Sequence, residues 1–180
     1  MVDPLIHMAA RAGLAALFAT AALHKLRDLG AFRDVVAGYR VLPAAVVPAA
    51  AVIVATTESV LAVALLRPGT YAAASAGAAA LLGAYGVAIA INLARGRRDI
   101  DCGCLGVAGA SRLGGWLLVR NAVLIGTCSI IWLPTTGRGL MWVDAVTLAG
   151  TMAALALLWT SIDRLAALTA GERRVARRSG

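Results

Sequence analysis

Two cysteines one residue apart, Cys102 and Cys104, are the most chemically distinctive residues in the sequence. With only Gly103 between them, the sulfurs can meet only in a small, constrained ring, and the glycine supplies the backbone freedom to close it. A bond so constrained is easily reduced, which suits transient thiol-disulfide exchange better than a structural staple. Arg97, Arg98 and Arg112 favour thiolate, whereas Asp99 and Asp101 oppose it. Two other readings stand beside exchange. Adjacent thiolates hold copper(I), or give two ligands of a zinc site that His24, an aspartate or a partner would complete, or the pair is incidental to a loop. Three cysteines are too few for a disulfide scaffold.

Glu58 and Arg120 each stand alone in an apolar stretch, and a charge facing lipid is costly. Both are expected to face a protein interior, where they can pair. His24, Lys25, Asn92 and Asn121 fall in the same half of the membrane as the cysteine loop. Read functionally, these six residues form a polar pocket beneath that loop, able to stabilise a thiolate or a quinone headgroup. Read structurally, they are an ion pair and its neighbours fixing helix register. Cys128, among Ile125, Ile130 and Ile131, reads as a small core residue and secondarily as a resolving thiol. His7 and Met8 read as membrane-end residues, and Trp116, Trp132, Trp142 and Trp159 as interfacial anchors.

The elements that must position these residues are set by composition. Of 180 residues 61% are hydrophobic, and the mean hydropathy is +0.83. Whole windows lack charge, which a soluble helix with a polar face does not allow. The expected fold is all-α, an integral membrane helical bundle of about five transmembrane helices, four in the core plus one. The spans are expected at 5–23, 44–66, 71–94, 113–133 and 140–162. Between the first two, Phe32, Val35, Val36 and Tyr39 share one face and Arg33, Asp34 and Arg40 the other, which predicts a short interfacial helix. Residues 1–163 form one transmembrane domain and 164–180 a basic cytoplasmic tail.

The net charge of +8 does not point to nucleic acid, because the seventeen basic residues sit mainly in short segments between spans and in the tail. Lys25, Arg27, Arg33, Arg40, Arg95, Arg97, Arg98, Arg112 and the tail fall on one side, and Arg11, Arg67 and Arg138 on the other. The positive-inside rule then puts the N-terminus outside and the C-terminus in the cytoplasm of a bacterial inner-membrane protein. It also puts the Cys102 loop on the cytoplasmic face. The N-terminus lacks a basic n-region, so the first apolar segment is expected to stay in the mature protein.

His24-Lys25-Leu26-Arg27-Asp28, Phe32, Tyr39-Arg40-Val41-Leu42-Pro43, Glu58, the stretch from Asn92 to Gly96, Cys102-Gly103-Cys104-Leu105-Gly106 and Arg120-Asn121 together form a pattern. In their order and spacing the chain resembles the MauE family of methylamine-utilisation membrane proteins, related in turn to the DoxX/DoxD membrane proteins. The resemblance implies a redox-associated protein of the bilayer, a thiol-disulfide oxidoreductase working beside a thioredoxin-like partner, that supports disulfide formation in an exported, disulfide-rich client. Electrons would pass on to a quinone or a second thiol protein. Leu105 stands where such proteins commonly carry Phe, which leaves the thiol pair intact but loosens the inference to a client. The alternatives are a non-catalytic membrane subunit that docks a redox partner and a DoxX-like quinone-linked oxidoreductase subunit.

Overall fold

The computed structural model describes residues 1–97, 114–139, 141–154, 156–158 and 161. The helices are α1 (Pro4–Arg27), α2 (Leu29–Tyr39), α3 (Val47–Leu66), α4 (Tyr71–Ala94) and α5 (Gly115–Ile130). A further apolar helix, α6, covers Trp142–Leu158. Among the described residues the only β-type pairing is an isolated bridge between Val2 and Thr135. The all-α membrane bundle expected from composition is what the chain forms. Three helices, Pro4–Arg27, Ala44–Leu66 and Tyr71–Ala94, are long and apolar enough to cross a membrane, and Gly115–Ile130 and Trp142–Leu158 are shorter apolar helices. At about 1.5 Å per residue, the 16 residues of α5 reach about 24 Å, short of a perpendicular crossing of about 30 Å.

Local chemistry explains the helix ends. Asp3 caps α1, its carboxylate accepting from the Leu5 N–H at 2.8 Å, and Pro4 occupies the first turn where no N–H is needed. The expected end of this span at Leu23 is corrected to Arg27. The polar residues His24, Lys25 and Arg27 continue the helix because the Lys25 charge finds a partner inside the bundle. Asp28 then serves as the N-cap of α2, accepting from the Ala31 N–H at 2.8 Å. Ala44–Val46 forms one 3-10 turn leading into α3, in whose first turn Pro48 is tolerated. The expected boundaries of α4 match those observed.

α4 ends in a Schellman motif. Gly96 adopts φ +71°, its N–H donates to Leu93 O at 3.0 Å, and the Arg97 N–H donates to Asn92 O at 2.9 Å. Only a residue without a Cβ takes that backbone shape cheaply. The chain leaves α4 at this point toward residues 98–113, which carry Cys102 and Cys104 and lie outside the described residues.

α1 packs chiefly on α3, and α4 on α5. At Gly77 a Cβ would come to 3.0 Å from Leu61 Cδ2, so the glycine sets how closely α3 and α4 approach. The larger apolar cluster includes Leu14, Phe18, Leu61, Leu65, Ala78, Leu82, Cys128 and Ile131. A smaller one, Ile89 and Leu117 with Tyr39, Leu93 and Leu118 against it, lies toward the α2 end. Outward-facing Val52, Ile53, Val60, Val63, Val87, Val119 and Val123 are exposed, as a lipid-facing surface requires. Trp116, Trp132 and Trp142 are exposed close to helix ends, in keeping with interfacial anchoring.

Candidate functional site

Between the two apolar clusters lies a polar layer. On α4, Tyr85 falls between Leu82 and Ile89, and on α5, Asn121 falls between Leu117 and Leu124. Glu58 of α3 is 1% exposed and Lys25 of α1 is 4% exposed. Lys25 Nζ and Glu58 Oε1 form a buried ion pair. The Tyr85 hydroxyl donates to the same oxygen at 2.7 Å. Lys25 Nζ also lies 5.1 Å from the Phe32 ring centre and 5.5 Å from that of Tyr85. The ammonium is therefore held by one carboxylate and two aromatic faces, which together replace the water it has lost.

Two buried acceptors are left over. Glu58 Oε2 and Asn121 Oδ1 have no hydrogen-bond partner, while Asn121 Nδ2 donates to Leu82 O at 3.4 Å. Asn92, fully buried, donates from Nδ2 to Ala88 O at 3.0 Å and accepts from Arg97 Nη1 at 3.3 Å. Arg97 Nη1 also donates to Tyr39 O at 3.4 Å, and Arg95 Nη1 to Arg40 O at 3.1 Å. These bonds tie the last turn of α2 to the end of α4, beside the departure point of the cysteine-bearing segment.

The structure thus brings Lys25, Glu58, Asn92 and Asn121 into the bundle interior, and it corrects two expectations. Among the described residues the ion-pair partner of Glu58 is Lys25, not Arg120, because α1 rather than α5 packs along α3. His24 is exposed: one residue before Lys25 it lies about 100° around the helix, which turns it out of the interior. Arg120 is half-buried beside Asn121 on α5. Cys102 and Cys104 lie outside the described residues. Cys128 is 2% exposed in the larger apolar cluster, as a core residue would be.

Tyr85 escaped the sequence analysis. Its signal was the i, i+4, i+7 spacing of Tyr85, Ile89 and Asn92, which puts them on one face of α4. The amphipathic reading of α2 holds, with Phe32, Val35, Val36 and Tyr39 half-buried and Arg33, Asp34 and Arg40 exposed.

The opposite end of the bundle is also polar. Arg11 donates from Nε to Leu65 O at 2.8 Å and from Nη2 to Leu66 O at 2.9 Å, neutralising the C-terminus of α3, and stacks 4.3 Å from the Tyr71 ring centre. His7, expected at the membrane end, is buried there, with Nε2 3.1 Å from Ile131 O. Arg138 chelates Asp3, at 3.0 and 3.2 Å, and Asp144, at 2.9 Å twice. The Arg138 hydrogen bonds hold the Asp3 carboxyl below its ordinary value, helped by the Leu5 N–H.

A family model described as methylamine utilisation protein MauE matches residues 3–134. The chain belongs to the MauE family. The match includes α1 to α5 and the Cys102–Cys104 segment, and stops before α6. A protein of Paracoccus versutus named methylamine utilization protein MauE is 42% identical over 122 residues, 68% of this chain and 66% of that relative. The chain therefore aligns with just under two-thirds of that relative's length. A relative of the same name from Methylophilus methylotrophus is 33% identical over 175 residues, 96% of this chain and 92% of the relative. A third, from Methylorubrum extorquens, is 38% identical over 135 residues, 74% of this chain and 72% of the relative. No solved structure matches. Within this MauE-family chain the buried Lys25–Glu58–Tyr85 network and the Arg97 anchor lie inside the matched region, as do both loop cysteines.

Proposed function

We propose that this MauE-family protein serves methylamine utilisation as a membrane thiol-disulfide relay working through Cys102 and Cys104 with a thioredoxin-like partner, in the maturation of an exported, disulfide-rich client. The observation that carries the reading is the family match spanning the cysteine pair, since the relatives are named for methylamine utilisation. The chemistry of a Cys-Gly-Cys pair supports it.

In the exchange, a thiolate of the pair attacks the partner's disulfide, forming a mixed disulfide and releasing one partner thiolate. The second cysteine thiolate then attacks the mixed disulfide. The products are a Cys102–Cys104 disulfide and a reduced partner, two electrons having passed to the partner; the reverse sequence oxidises it. The Lys25–Glu58–Tyr85 network fixes the α1–α3–α4 scaffold, and Arg97 anchors the segment that leads into the pair.

A quinone is the other carrier to which the electrons of the relay can pass. A quinone carbonyl needs a donor, but Lys25 Nζ and Tyr85 Oη are both turned on Glu58 Oε1. The buried Arg120 Nε, beside Asn121 on α5, is a donor, whereas Glu58 Oε2 and Asn121 Oδ1 are acceptors. The reading therefore runs from the thioredoxin-like partner through the cysteine pair to a second thiol protein or a quinone.

Thiol trapping of the full-length protein in membranes tests the relay. A reducible Cys102–Cys104 bond and a mixed disulfide with a partner, trapped when either cysteine alone is replaced by serine, are expected. If Cys102→Ser with Cys104→Ser left client disulfide formation at the wild-type rate, the relay would be lost and a docking subunit would replace it.

A further inference from the structure

We propose that the corner where the end of α2 meets the end of α4 binds the headgroup of an anionic phospholipid, held by Arg40, Arg95 and Arg97. Arg95 and Arg97 each lay a guanidinium nitrogen over one of two successive carbonyls, Arg40 O at 3.1 Å and Tyr39 O at 3.4 Å. Two cations just past the end of α4 thus converge on the end of α2. The third, Arg40, belongs to that end and its side chain is exposed. Its backbone sits in the left-handed region at φ 48°, a shape that residues with a Cβ adopt at a cost.

Among the described residues no carboxylate pairs with the positive charge of this corner: the ion pairs are Lys25 with Glu58, and Arg138 with Asp3 and Asp144, and none of them involves these three arginines. The two carbonyls supply only the partial charge of a helix C-terminus. Asp34, the acid of α2 preceding Arg40, is six residues away in sequence, about 9 Å along the helix. At the other end of the bundle the balance is different: Arg138 has two carboxylates, and Arg11 has two carbonyls and a tyrosine ring.

The chemistry that answers such a corner is a phosphate, which accepts several guanidinium hydrogen bonds at once. The surrounding surface selects a lipid over a free anion. Val41 and Leu42, next in sequence to Arg40, are 39% and 43% exposed. Guanidinium groups beside outward-facing aliphatic side chains match the boundary between headgroup and acyl chain. A lipid held here sits at the root of the cysteine-bearing segment, which begins directly after Arg97.

Native mass spectrometry of the full-length protein, delipidated in detergent and titrated with phosphatidylglycerol or phosphatidylcholine, tests the assignment. Phosphatidylglycerol is expected to be retained preferentially, and Arg40→Gln and Arg95→Gln are each expected to weaken it about fivefold. Arg40→Gln removes an exposed side chain and Arg95→Lys keeps the charge, so these two variants separate lost binding from lost folding. Arg95→Lys should retain most of the lipid, and Arg138→Gln, at the other end, all of it. Equal retention of the two lipids, or phosphatidylglycerol binding unmoved by Arg40→Gln, would overturn the proposal. So would displacement of phosphatidylglycerol by inorganic phosphate at matching concentration, which would make the ligand a soluble anion.

Discussion

Lys25 and Glu58 have given up nearly all contact with solvent, and their attraction repays that loss only while both are present. Glu58→Gln leaves an ammonium facing Tyr85 and Phe32 with no counter-charge, and Lys25→Met leaves a carboxylate held by one phenol. Each single change is expected to cost about 3–5 kcal/mol, whereas the double change Lys25→Met with Glu58→Met, which removes both charges, should cost less than either alone. Thermal unfolding of the four proteins in one detergent gives the cycle. Losses that simply add would show that the two side chains are not coupled. Glu58 was legible in the sequence as a lone charge in a long apolar run, but its partner was not. Lys25 read as the polar end of the first span, and nothing in the sequence says that α1 continues to Arg27 and brings the lysine beside α3. Tyr85 was hidden for another reason: a phenol in a span of alanines and glycines is unremarkable until a carboxylate is known to face it.

Helices were read best where composition alone decides them. The bounds of α4 follow from a turn before Tyr71 and a glycine after Ala94, and the amphipathic face of α2 follows from spacing. Contacts between chain segments far apart in sequence were not readable, and the link from the N-terminus to the α5–α6 connection is one of them. Val2 N donates to Pro134 O at 2.9 Å and Thr136 N to Val2 O at 2.9 Å, while Arg138 chelates Asp3 and Asp144. Because the Arg138 hydrogen bonds lower the Asp3 pKa in the folded state, the unfolded chain binds more protons on acidification. The clamp's contribution is therefore complete above the ordinary aspartate value of 3.8 and is lost as pH falls through the lowered folded value. Wild type should melt above Asp3→Asn by a margin that is constant near neutrality and closes in acid. A margin that widened below that value would mean that Asp3 is not held by Arg138.

At the scale of the whole molecule, the two ends of the bundle differ in charge, and that difference carries the orientation. Arg27, Arg33, Arg40, Arg95 and Arg97 gather at the end where α2 lies, while the other end has Arg11, Arg67 and the clamped Arg138. Clamping matters to the comparison, because two carboxylates beside Arg138 reduce what that arginine adds to its side. The positive-inside rule then predicts the α2 end in the cytoplasm and Thr136 outside. This sits awkwardly with an exported client, since it puts the cysteine-bearing segment on the reducing side, where a partner would have to carry the disulfide across. The conflict can be decided with single cysteines placed in a protein lacking Cys102, Cys104 and Cys128. With a membrane-impermeant maleimide on intact cells, Thr136→Cys should be labelled at once and Arg33→Cys only after permeabilisation. Labelling of Arg33→Cys from outside would invert the topology, and the Cys102–Cys104 pair would then face the compartment where disulfides persist.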